Sequence, residues 1–125
     1  MHSSTTGSIL LTLMALSVHS APCVAQTGPV SGKEIQDAWV GKDLVGTSAA
    51  GAKVHMRLEQ DGTATVAAGN TNDSGTWRAS DTGYCTTWKT IRAGQERCFT
   101  VTRDGTVFKV ANPDGSPSGQ FTSIK

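Results

Sequence analysis

Val54-His55-Met56-Arg57-Leu58-Glu59-Gln60-Asp61-Gly62-Thr63-Ala64-Thr65-Val66-Ala67 is the stretch that decides the fold. Val54, Met56 and Leu58 alternate with His55, Arg57 and Glu59, the period of two expected of a half-buried strand. Asp61-Gly62 suits the positive φ angles of a tight hairpin turn. Ala64 and Val66 then alternate with Thr63, Thr65 and Ala67 on the way back. One hairpin is thus written in 14 residues, and the rest of the chain can be read against it.

Towards the C-terminus the same grammar recurs. The polar run 69–75 reads as a loop. Strands are expected over 76–80 with Trp77, over 84–91 with Tyr84, Thr86 and Trp88 on one face, and over 97–103 with Phe99 and Val101 on one face. Two more are expected over 106–111 with Phe108 and Val110 and over 119–124 with Phe121. Turns fall at 81–83, 93–96, Asp104-Gly105 and 112–115. Roughly seven or eight short strands with local connections make an antiparallel meander, and such a meander leaves exposed edges unless it closes or curls. The expected fold is all-β: a small meander closing into a barrel or curled sheet. The expected inward set is Trp39, Leu44, Val54, Met56, Leu58, Val66, Trp77, Trp88, Phe99, Val101, Phe108, Val110 and Phe121.

Towards the N-terminus one helical pattern stands out, over 31–40. Ser31 and Glu34 have capping-box spacing, and Ile35, Ala38 and Trp39 fall on one face. Gly41 ends it. This helix is expected to cover one open end of the barrel with Trp39. Residues 26–32 read as a flexible leader, so 26–42 form a leader and short helix ahead of a single β domain at 43–125.

Residues 1–25 contain no Lys, Arg, Asp or Glu, and an apolar run occupies 9–16. A secretory signal has a central apolar segment of roughly 7–15 residues with small residues before the cut. Cys23 and Ala25 supply these, so residues 1–25 are expected to be a signal peptide cleaved before Gln26. The run is short of the ~20 apolar residues of a membrane span, and no membrane insertion is expected after cleavage. Lipidation of Cys23 is the alternative, with Pro22 where a small residue is usual. Periplasmic or secreted localisation follows.

Of three cysteines, Cys85 and Cys98 then remain for the mature domain. An even number in an oxidising compartment points to a disulfide, and a loop this short contributes about 3 kcal/mol. Free thiols for redox chemistry would want a C-x-x-C arrangement. Were the two cysteines directly opposed, the turn would centre on Ile91-Arg92, whereas turn residues cluster at 93–96. A diagonal bond or one between non-neighbouring strands is therefore expected.

The formal net charge of +1 offers no basic field for nucleic acid or anionic lipid. His55, outward between Val54 and Met56, lacks partners for a catalytic dyad or a zinc site. Asn70, Asn72, Ser74 and Gly75 copy part of a calcium-loop spacing, but Asn70 and Asp81 stand where Asp and a bidentate Glu belong. Trp88, Arg92, Glu96 and Arg97 form the densest polar-aromatic neighbourhood and are the candidate binding patch. Salt bridging around the disulfide is its structural alternative. No cofactor is expected.

Gly75-Thr76-Trp77, Cys85-Thr86-Thr87-Trp88 and Glu96-Arg97-Cys98, followed by Asp104-Gly105 and Asp114-Gly115, resemble a family of short secreted proteobacterial proteins of unknown function. Its members carry a signal peptide, then G-x-W, C-x-x-W, an E-R-C-like cysteine and a D-G hairpin. The similarity spans about 43–124 and implies fold and export but no chemistry. A looser likeness is to periplasmic protease-inhibitor barrels, which combine G-x-W with one disulfide; it implies an inhibitory segment at 26–32. The same G-x-W also occurs in lipocalins. The leading expectation is an exported non-enzymatic binding module acting as an inhibitor of an envelope or host enzyme. A small-ligand carrier with a lipocalin-like barrel is the rival.

Overall fold

The computed structural model describes residues 27–125, together with the isolated positions 3, 7, 12, 14 and 15. The expected signal peptide and Cys23 lie outside the described residues. Nine strands are present among the described residues: β1 (Gly28–Pro29), β2 (Asp43–Ser48), β3 (Lys53–Leu58), β4 (Thr63–Ala68), β5 (Thr71–Ser80), β6 (Gly83–Trp88), β7 (Arg97–Asp104), β8 (Val107–Ala111) and β9 (Pro117–Ile124). A helix, α1 (Gly32–Ala38), lies between the first two.

Strands β2 to β9 pair antiparallel with their sequence neighbours, and β9 returns to β2. This is an eight-stranded closed up-and-down barrel, the closure that leaves no long edge unpaired. The hairpin of the opening stretch has Met56 facing Val66 and Leu58 facing Ala64, as the alternation requires. The seam between β2 and β9 carries a bulge at Val45/Gly46, and a Cβ on Gly46 would stand 1.8 Å from the Gln120 carbonyl oxygen. Only glycine lets the two strands meet there.

The barrel has unlike ends. At one, α1 starts on Ser31, whose Oγ accepts from the Glu34 amide at 3.2 Å. The Glu34 side chain does not complete a capping box; it pairs with Arg103 on β7 instead. Trp39, just past the helix, is fully buried against Tyr84, Phe108 and Phe121 at centroid distances of 5.8, 5.4 and 5.6 Å. It plugs this end as expected. Trp77 is only partly buried there, with its indole nitrogen donating to the Glu59 carbonyl at 2.7 Å.

Three expectations need correction. The 28–32 segment is not a free leader: Gly28 and Pro29 pair with Arg103 and Thr102, and Val30 is 1% exposed. It continues the pairing along β7 beyond Gly83, the first residue of β6. The polar run 69–75 is not a loop beyond its first two residues, because β5 already begins at Thr71 and pairs along β4. And Cys85 faces Cys98 directly across β6 and β7. The connection does turn at Ile91–Gly94, made possible by left-handed Arg92 and Ala93, which composition does not announce. Among the described residues no helix is long and apolar enough to cross a membrane.

Candidate functional site

Opposite the Trp39 plug, the barrel is open. The turns after β2, β4, β6 and β8 surround a cavity of about 180 Å³. Its floor and walls are apolar: Val54, Met56, Val66, Phe99, Val110 and Phe121. Tyr84, Thr86 and Trp88 line it from β6, because alternate residues of that strand point inward. Ser118 and Gln120 add polar groups from β9.

Arg92 is the cation in this lining. Its Nη2 donates to the Thr86 carbonyl at 3.1 Å and to the Thr86 hydroxyl at 2.9 Å, and the guanidinium lies over the Phe99 ring at 5.6 Å from the centroid. Its Nε is buried with no hydrogen-bond partner among the described residues. Partial burial, and secondarily the charge of nearby Arg97, lower its pKa below the usual arginine value. Burial likewise pushes the Tyr84 hydroxyl up, a shift that Arg92 opposes. Neither group exchanges a proton near neutral pH.

Two devices aim Arg92 inward. Arg92 has φ 57° and Ala93 φ 52°, left-handed backbone that costs a non-glycine residue roughly 1–2 kcal/mol. Such strain collects where function requires a set direction. The second device is Asp73 on β5. Its Oδ2 accepts from the amides of Thr90 and Ile91 at 3.0 and 2.9 Å and from the Thr90 hydroxyl at 2.9 Å. The hydrogen bond from Ile91, more than any other, holds this carboxyl at about 2, against partial desolvation. The clamp fixes the start of the loop that carries Arg92.

The candidate patch is therefore split by the barrel wall. Trp88, 5% exposed, and Arg92 face the cavity. Arg97 pairs with Thr86 and stands exposed at the rim. Glu96 lies outside, where its two oxygens accept from Arg78 Nη2 and Nε at 2.8 and 3.1 Å. The same Arg78 approaches Cys98 Sγ at 3.7 Å, so Arg78 and Glu96 cover the disulfide. Sequence reasoning missed Tyr84, Thr86 and Asp73 as site residues. The inward register of β6 was legible for the first two; nothing local flags Asp73, whose partners are 17 and 18 residues away.

Cys85, Glu96 and Cys98 form a compact group of potential metal ligands. Their sulfurs are bonded to each other, which leaves one carboxylate and no thiolate for an ion. His55 stands outside the barrel, its Nε2 3.4 Å from Asp43 Oδ1. No family model, curated protein or solved structure matches the chain.

Proposed function

We propose that this protein is an exported, non-enzymatic binding module that takes a small ligand into the open mouth of its barrel. The observation that carries this reading is the cavity of about 180 Å³ at the open end of the barrel, mostly apolar, with Arg92, Thr86 and Ser118 as polar groups and Tyr84 deeper, against Trp39. Pockets of this kind, apolar with a few convergent polar groups, are where small molecules bind. The non-enzymatic part rests on the titratable groups lining the cavity: an arginine guanidinium, which keeps its proton in proteins, and a phenol raised by burial supply no base near neutral pH. Export is supported by the charge-free apolar start of the chain and by the disulfide.

An inhibitor of an envelope or host enzyme would present a projecting segment. The stretch expected to serve, 26–32, has Gly28–Pro29 paired to β7 and Val30 buried. The cavity is thus the better-supported site. Trp88 lines it and reports occupancy. Titration with a panel of aromatic, aliphatic and neutral small molecules is expected to shift the tryptophan emission for one class. A flat response across the panel, with stable retention of a hydrolase by the tagged protein, would replace this reading with the inhibitor.

A further inference from the structure

The structure assigns a ligand class to the mouth: we infer that it selects a small aromatic monocarboxylate, its ring in the cavity and its carboxylate on Arg92. The inference rests on the small-ligand reading and adds to it size, charge and shape.

Size comes from the cavity. An apolar cavity of about 150 Å³ takes up benzene, and this one measures about 180 Å³. One ring fits; a long acyl chain does not. Shape comes from the lining, where Tyr84, Trp88, Phe99 and Phe121 offer ring faces and edges at which aromatic pairs form.

Charge comes from Arg92. Its guanidinium has five N–H donors in a fixed planar fork. Those seen bonded are on Nη2, to Thr86, and Nε is buried without a partner. A buried donor left unpaired is costly, and a carboxylate accepts from such a fork through two oxygens. The acidic groups near the mouth are committed elsewhere. Asp73 holds Thr90 and Ile91, Glu96 is paired with Arg78 outside the wall, and Asp114 accepts from Ser116 in its own turn. Among the described residues no carboxylate forms an ion pair with Arg92 or Arg97. Arg92 therefore faces the apolar cavity with no carboxylate paired to it, while the charge of the exposed Arg97 acts on Asp114.

The test is calorimetric titration of the oxidised protein with phenylacetate, 2-phenylethanol and phenethylamine, three probes sharing one ring. Phenylacetate is expected to bind about ten- to a hundredfold tighter than the alcohol, and the amine more weakly than both. Arg92→Gln is expected to erase the preference for the acid while alcohol binding persists, which also shows that the variant is folded. Arg92→Lys, keeping the charge without the fork, should retain part of the preference. Equal binding of acid and alcohol by the parent protein would overturn the anion anchor and leave the small-ligand reading standing. Palmitate binding with no aromatic binding would overturn the size class alone. Failure of all four compounds would overturn both.

Discussion

Trp39 gives the sharpest test of how the barrel is closed at one end. It is fully buried and meets three aromatic rings at 5.4–5.8 Å, yet its indole N–H has no hydrogen-bond partner among the described residues. Truncation to alanine removes a large buried aromatic, a change that costs about 3–5 kcal/mol. A domain of this size holds about 5–15 kcal/mol in all, so Trp39→Ala should lie near the limit of folding. Trp39→Phe is different. It loses part of the packing, about 1–2 kcal/mol, but also removes a buried unsatisfied donor that itself costs about 1–3 kcal/mol. The two effects nearly cancel, and the net change should be within about 1 kcal/mol. Urea unfolding followed by far-ultraviolet circular dichroism, with the slope checked for constancy between variants, measures both. If Trp39→Phe proves as costly as Trp39→Ala, the indole N–H has a partner such as a buried water, and the plug is held by that bond rather than by packing.

Three further outcomes are expected. The Asp73 carboxylate, with a folded pKa near 2 against an ordinary value of 3.8, favours the folded loop above about pH 4 and loses that contribution as pH falls towards 2; the Ile91 amide resonance should titrate with that low midpoint and stop doing so in Asp73→Asn, and a midpoint near 4 in the parent would dismiss the clamp. Replacing both Cys85 and Cys98 by alanine should lower stability by about 3 kcal/mol with ligand binding retained, since the bond lies on the outer face; a loss under about 1 kcal/mol in urea would contradict this. Gly75→Ala should cost about 1–3 kcal/mol and lower the soluble yield, because a Cβ there stands 1.9 Å from the Thr87 carbonyl oxygen across the wall; a variant with an unchanged melting temperature would show that β5 and β6 can part at no cost.

What could be read in advance follows from where the information lies. The alternation of Val54, Met56 and Leu58 and the Asp-Gly pairs are local, and they carried the meander, its closure and most of the core. Val30 escaped notice because Gly28, Pro29 and Gly32 around it look like a linker, while its burial depends on Val101, to whose carbonyl its amide donates at 2.9 Å. The run from Thr71 to Ser74 is rich in turn formers, yet pairing with β4 overrides that preference. Trp88 and Arg92 stood out by the local density of polar and aromatic residues, and both line the cavity. The true geometry of the patch was hidden, since left-handed backbone at Arg92 and Ala93 is imposed by the loop and by Asp73 rather than encoded by glycine. Arg97 begins β7 on the face that Phe99 continues, whereas Glu96 lies just before the strand and pairs with Arg78 outside the wall.

The seam at which β9 returns to β2 has a kinetic consequence. Among β2 to β9 every other joint is a hairpin between sequence neighbours and can form in microseconds. Leu44 must instead find Ile124, and the loop entropy of that search precedes any reward from the contacts it makes. Until the last strand arrives, β2 and β8 both present bare edges, so the half-made barrel is the state most exposed to strand exchange between molecules. Gly46, which alone permits the close approach to Gln120, therefore governs how long the chain spends open. A substitution there would be felt first as slower refolding and greater loss to aggregates, with the equilibrium melting point a poorer guide to the damage.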